Sequence, residues 1–124
     1  MDAAIDAMGK EYFGLSEERL KLWQEKNIYE SVRRSRILWK QSPHTYSFYI
    51  VRRQQDNAVG ARLRELEKLY EKKLQSFYPN IPSAMVEATR ATLFGLAVSP
   101  TLSEEGLLLA VDLVRGLLDR NAKA

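Results

Sequence analysis

Residues 59–78 read VGARLRELEKLYEKKLQSFY, and this stretch decides the fold. Its apolar side chains recur at spacings of four, three, four, four and three residues; they are Val59, Leu63, Leu66, Tyr70, Leu74 and Phe77. Side chains three or four residues apart lie on the same side of an α-helix. The pattern therefore predicts a long amphipathic helix that turns one face toward a core.

The segment before this helix is harder to assign. Residues 45–51 are rich in aromatic and β-branched side chains, which also suit a strand. A single strand would have no partner in this chain, so we predict helix over residues 44–78. Asp56-Asn57 and Gly60 form the weak point of this segment, and a division into two helices there stays open. The two prolines within residues 79–82 end the segment.

Upstream, residues 15–41 contain no proline or glycine, so one uninterrupted helix is predicted there. Ser16 is its candidate N-cap, and Ser42-Pro43 stops it, because proline disfavours the helical conformation in the residue before it. The preceding segment, residues 2–14, is ambiguous between a short helix and an arm.

Two more helices are predicted downstream. The first runs from Ser83, its candidate N-cap, to about Ala97, and Ser99-Pro100 breaks it. Thr101 and Glu104 then form a capping-box pattern that opens a last helix. That helix is apolar around most of its circumference, so we expect it to be mostly buried, in this domain or against another chain.

These segments together predict an all-α fold. We expect a single small domain of about four helices over residues 15–124, built as a helical bundle or as extended helical hairpins. Residues 1–14 are predicted to form an N-terminal arm or a short helix. A chain of 124 residues is the size of one ordinary domain.

The composition of the chain limits the classes of protein to which it can belong. The chain is 45% hydrophobic and 28% charged, which is ordinary for a globular protein, and it has no cysteine, hence no disulfide and no thiolate metal site. No apolar run reaches the roughly 18 residues of a membrane span. Asp2 and Asp6 make the N-terminus acidic where a targeting presequence would be basic. We expect a soluble intracellular protein, with the organelle left open.

Positive charge is concentrated in the middle of the chain. Residues 33–73 contain eleven Lys or Arg and four acids, a net charge of +7, whereas the whole chain carries +3. A basic surface with nearby aromatic residues is typical of binding to nucleic acid or to an acidic partner. The candidate binding residues are Arg33, Arg36, Lys40, Arg52 and Arg53. The alternative interpretation is a pair of solvated helix faces whose aromatic residues lie in the core.

No residue pattern indicates catalysis. His44 is the only histidine, and no cysteine, histidine or carboxylate cluster accompanies it to hold a metal. The paired acids at 17–18 and 104–105 fall in first helical turns, where the helix dipole explains them. No glycine-rich phosphate loop occurs. We therefore expect neither an enzyme nor a cofactor or metal.

The function hypothesis that remains is a non-catalytic structural or assembly subunit. It would dock into a larger protein complex through amphipathic helix faces, with other subunits of that assembly as partners. Large aromatic and leucine side chains are the candidate interface residues, because aromatic side chains often dominate interfaces and because the last helix is so apolar; they are Trp23, Trp39, Tyr49, Leu113 and Leu117. A homo-oligomer and a nucleic-acid-binding module over residues 33–73 are the alternatives.

Overall fold

The computed structural model describes residues 2–122, and every regular element in that range is helical. The elements are α1 (Asp2–Ala7), which continues into a π-helical turn (Met8–Tyr12), α2 (Glu17–Gln24), α3 (Ile28–Gln41), α4 (Pro43–Arg52), α5 (Ala58–Phe77), α6 (Ser83–Val98) and α7 (Glu104–Ala122). The all-α prediction is confirmed. The expected number of about four helices is too low, because the described residues form seven α-helices.

The first predicted long helix is wrong in one respect, since it divides into α2 and α3. Lys26 adopts a left-handed backbone conformation with a φ of 58°, which no α-helix accommodates. The next residue, Asn27, caps α3, because its side chain accepts a hydrogen bond from the Glu30 backbone N–H at 3.3 Å. The predicted end at Ser42-Pro43 is correct, and Pro43 becomes the first residue of α4.

The second predicted segment divides at its weak point. Asn57 caps α5 by accepting a hydrogen bond from the Gly60 backbone N–H at 2.9 Å. Glycine is required at position 60, because a Cβ there would collide with the backbone carbonyl oxygens of Gln55 and Arg52. The chain leaves the helical path after Arg52 and folds back against Gly60, so α4 and α5 are separate helices.

The two predicted caps downstream are displaced. Ser83 is the first residue of α6 and Pro82 takes the N-cap position. In α7, Ser103 rather than Thr101 acts as the cap: its Oγ accepts from the Gly106 N–H at 3.0 Å. The helix begins two residues later than the capping box predicts, and the Leu102 carbonyl oxygen just before it accepts a hydrogen bond from Arg36 of α3.

The core is arranged around α3. This helix packs against α2, α4, α6, α7 and the π-helical turn, and α5 packs against α4 and α6. Ile28, Val32 and Trp39 are the apolar side chains that α3 buries. The N-terminal segment belongs to the same core, since Ile5 and Met8 are buried in it. Residues 2–12 are therefore helical, which is one of the two expected forms.

Candidate functional site

The outward side of α7 is an unusually apolar surface. Leu109, Leu113 and Leu117 are 60%, 71% and 49% exposed. They recur every four residues, so they form one stripe along the helix, and Leu108 flanks it at 42% exposure. We call these four residues the α7 leucine face. An exposed leucine is ordinary when isolated, whereas contiguous apolar rows are common on the interaction surfaces of proteins.

The opposite side of α7 explains this orientation. Leu107, Val111 and Leu118 are almost fully buried against the domain. With 3.6 residues per turn, the leucines at 109 and 113 must then point away from it. Leu113 and Leu117, two of the predicted interface residues, are therefore on the surface. The expectation that the last helix is mostly buried is wrong within this domain, because no other described helix covers its outward side.

Charged residues stand at the two ends of this surface. Glu105 lies one turn before Leu109, and Arg120 lies on the last turn of α7. Both side chains are exposed, and neither forms an ion pair with any residue in the range 2–122. Gly116 lies between Leu113 and Arg120, and a Cβ at that position would meet only open space. In chain order the outward side thus presents Glu105, Leu109, Leu113, Gly116 and Arg120. Asp112 lies beside these residues and pairs with Arg115 at 3.4 Å.

Three hydrogen bonds fix α7 to the rest of the domain. Tyr29 donates from its hydroxyl to the Glu104 carboxylate at 2.8 Å, and Arg115 donates to the Lys26 carbonyl oxygen at 3.3 Å. At the other end, Asn80 donates to the Ala122 carbonyl oxygen at 3.3 Å. The leucine face is therefore held in place at both ends and in the middle.

The three aromatic interface candidates lie in the core instead. Trp23, Trp39 and Tyr49 are all less than one-tenth exposed. The Trp39 ring packs against Tyr12 at a centroid distance of 4.8 Å and against Phe94 at 5.7 Å. These edge-on contacts stabilise the junction of α3, α6 and the π-helical turn. The prediction that these three side chains form a docking surface is therefore wrong for this structure.

The Trp23 ring has the same internal role further along the domain. It stacks on Phe77 at 5.9 Å and meets Tyr70 edge-on at 6.3 Å. Both partners belong to α5, so Trp23 joins α2 to α5.

Tyr49 belongs to a buried charge cluster between α4 and α5. Its hydroxyl donates to Glu67, and Arg53 donates to the same carboxylate from Nε at 2.6 Å and from Nη2 at 2.9 Å. Burial disfavours the ionised carboxylate, but the hydrogen bonds from Arg53 and Tyr49 outweigh it and keep the pKa of Glu67 below its ordinary value. Burial and the bond to Glu67 raise the pKa of Tyr49. Arg53, a predicted phosphate-binding residue, is thus engaged inside the domain.

The other predicted basic residues are scattered. Arg36 is only 3% exposed and donates to the backbone carbonyl oxygens of Leu96, at 3.2 Å, and Leu102. Its assignment to a solvent-facing basic surface is wrong, because these carbonyls draw its guanidinium into the interior. Arg33 pairs with Glu30 at 2.6 Å, and the hydrogen bond to that carboxylate raises the pKa of Arg33.

Lys40 and Arg52 remain exposed. The Arg52 guanidinium lies 5.9 Å from the centre of the Phe48 ring on its own helix. Of the five candidates, these two alone are exposed without a carboxylate partner in the described range. The structure does not gather the five side chains into one patch.

Arg19 is a buried cation that sequence reasoning did not find. It is 3% exposed and donates to the Ser31 hydroxyl at 3.2 Å, to the Glu11 carbonyl oxygen at 2.8 Å and to Ser35. Burial and the neighbouring Arg34 lower its pKa. The signal available in the sequence was Ser31 and Ser35, small polar residues one turn apart on the inner side of α3.

A small cavity of about 30 Å³ lies beside Trp39. Its lining includes Ser31, Ser35, Tyr70 and Arg90 together with aromatic side chains. A volume of this size accommodates one or two water molecules. Within residues 2–122 there is no cluster of three potential metal-ligating side chains, and no helix there has the length and apolarity to cross a membrane.

Comparisons of the chain with protein-family models, with curated proteins and with solved structures gave no match.

Proposed function

We propose that this protein is a non-catalytic helical subunit that docks onto another protein chain through the α7 leucine face. The observation that carries the proposal is the row of exposed leucines at positions 109, 113 and 117 on a helix whose other side is packed into the domain. Covering such a row removes apolar surface from water, at roughly 25 cal/mol per Å².

The rigidity of α7 supports the same function. Because hydrogen bonds from Tyr29, Arg115 and Asn80 already hold this helix, docking does not require it to fold first. Binding surfaces that are ordered before association lose less conformational entropy on binding. The domain therefore serves as a support that presents one helix face.

Photo-crosslinking tests this function in the native cell. A photoreactive benzoyl-phenylalanine is introduced at Leu113 in one variant and at Leu69 in a control variant. Leu69 is the matched control, because it is also an exposed mid-helix leucine (41%) but lies alone on α5. We expect position 113 to crosslink to one protein species of defined mass and position 69 to give none. Equal adduct formation at both positions would contradict the proposal.

A further inference from the structure

We infer that the partner of the α7 leucine face is a second copy of this chain, bound with the two α7 helices antiparallel. This inference rests on the proposed docking function and names its partner. It follows from the order of residues along the outward side of α7, where Glu105 stands at the start, leucines and a glycine follow, and Arg120 stands at the end. The acid in the middle, Asp112, already has Arg115 of the same helix as its ion-pair partner.

Charge complementarity selects the antiparallel orientation. A two-fold axis near Leu113 places Glu105 of one copy opposite Arg120 of the other, twice in the dimer. A parallel pairing would instead place Glu105 against Glu105 and Arg120 against Arg120. Since neither side chain has an ion-pair partner among residues 2–122, both are available for this contact. Opposite charges across an interface fix the orientation of the partners more than they add affinity.

The shape of the outward side matches the same orientation. The axis that pairs Glu105 with Arg120 also sets Leu109 opposite Gly116. Gly116 has no side chain, and the space where its Cβ would be is empty, so a leucine of the second copy has room there. Leu113 lies near the axis and meets its own equivalent. The leucines at 109 and 113 therefore each have a recess or an apolar contact in the other copy, as a two-fold interface requires.

The charge of α7 argues against a lipid surface as the occupant. The helix carries four acids, which are Glu104, Glu105, Asp112 and Asp119, and two bases, Arg115 and Arg120. Helices that lie on membranes are instead rich in Lys and Arg, which attract anionic lipids. The face consequently suits a protein helix with an acid at one end and a base at the other.

Sedimentation equilibrium of the purified full-length chain tests the pairing. We expect a dimer whose dissociation constant lies in the micromolar range, with Leu113→Glu as a monomer and Leu69→Glu as a dimer like the wild type. Far-ultraviolet circular dichroism of both variants checks that the helices are intact. A wild-type chain that stays monomeric up to about 100 µM, or a dimer that survives Leu113→Glu, overturns the inference.

Charge reversal then tests the orientation. In an antiparallel dimer, Glu105→Arg or Arg120→Glu alone creates two repulsive pairs, and the double variant restores two attractive ones. At roughly threefold per exposed pair, each single variant weakens dimerisation by about tenfold and the double variant recovers it. In a parallel dimer each single variant only exchanges one like-charged pair for another, so single variants that dimerise like the wild type contradict the proposed orientation. Melting curves of the variants at low concentration separate this effect from a change in helix stability.

The two proposals fail in distinguishable ways. If the crosslink at position 113 joins the chain to a different protein, the docking function stands and the second copy is wrong. If position 113 forms no more adducts than position 69, the docking function fails as well. An adduct of twice the chain mass, together with a dimer in solution, supports both.

Discussion

Helix α3 is rich in charged residues yet lies at the centre of the fold, whereas helix α7 is rich in leucine yet lies at its edge. α3 has five charged residues among fourteen and lies at the centre of the fold, in contact with four other helices and the π-helical turn. α7 has six leucines among nineteen residues and leaves much of one side in water. How much of a helix is buried therefore depends on which elements pack around it, and the composition of the helix alone does not determine this.

The physical reason lies in what each helix meets. The arginines of α3 are long, and their guanidinium groups reach carbonyl oxygens or carboxylates that neutralise or hydrogen-bond them. α7 packs on α3 and α6, and these two helices cover only one of its sides. A polar helix thus becomes central because its polar groups have partners, and an apolar helix stays peripheral because no other helix within residues 2–122 covers its outward side.

Among the variants that test this comparison, the largest loss of stability is expected for a substitution of Trp39 in α3. Trp39→Ala removes the ring that packs against Tyr12 and Phe94, so it should lower the free energy of unfolding by about 3–5 kcal/mol. Leu113→Ala in α7 should change the same quantity by less than about 0.5 kcal/mol, measured where the chain is monomeric. Urea denaturation followed by circular dichroism gives both values. Similar losses in the two variants would show that α7 is as central as α3.

Arg36 provides the next test. Arg36→Met keeps the apolar stem but leaves the Leu96 and Leu102 carbonyl oxygens without their donor, and we expect a loss of about 2–3 kcal/mol. Arg34→Met is the control on the same helix. Arg34 pairs with Glu18 and Glu30 at the surface, so its replacement should cost less. If both variants unfold at the same urea concentration, Arg36 is not anchored in the interior.

The ends of several helices could be predicted from the sequence, but the break between α2 and α3 was not predicted. Proline marked the ends of α3, α5 and α6 because its chemistry acts locally, whatever the rest of the fold does. The break at Lys26 was missed, since neither proline nor glycine marks it. Asn27 followed by Glu30 was the signal that could have revealed it, because an N-cap residue with Glu three positions later opens a helix.

The candidate site was only partly predictable for a different reason. The periodicity of α7 predicted an apolar helix that includes Leu113 and Leu117, but not which of its sides would stay exposed. Burial of Arg36 was not predictable at all, because its acceptors arrive from residues 96 and 102, sixty or more positions along the chain. The same holds for Trp39 and Tyr49, whose aromatic side chains suit a core as well as an interface.

A smaller effect is expected at the buried carboxylate between α4 and α5. Glu67→Gln weakens the bonds from Arg53 and Tyr49 and should lower the free energy of unfolding by about 1–2 kcal/mol at pH 7. Because the folded-state pKa of Glu67 is below its ordinary value near 4.5, its contribution is present above that value and is lost as the pH falls through the folded-state pKa.

The difference between wild type and Glu67→Gln should therefore shrink as the pH is lowered from 5 toward 3. Urea midpoints measured across this range provide the check. A difference that is constant with pH would mean that the carboxylate is not ionised by preference in the folded state. Glu65→Gln is a matched control, since Glu65 lies two residues away at the surface.

The smallest effect is expected for the two exposed cations of the basic segment. Lys40→Glu combined with Arg52→Glu should leave the free energy of unfolding within about 0.5 kcal/mol of wild type, in contrast with Arg36→Met.

The same variant tests the nucleic-acid hypothesis. If these residues bind phosphates, their reversal should reduce retention on nucleic acid and flatten its dependence on salt by a slope of about 2. Unchanged retention would remove Lys40 and Arg52 from that hypothesis.

The guanidinium of Arg19 has a consequence for how the chain folds. It joins α2, the carbonyl oxygen of Glu11 and two serines of α3, and a cation cannot leave water until all these acceptors are in place. Residues 8–41 should therefore open and close as one cooperative unit, although they form two helices and a π-helical turn. Native-state hydrogen exchange should show this directly, with buried amides of the π-helical turn, α2 and α3 sharing one opening free energy. Separate opening free energies for the π-helical turn and α3 would show that Arg19 does not unite them.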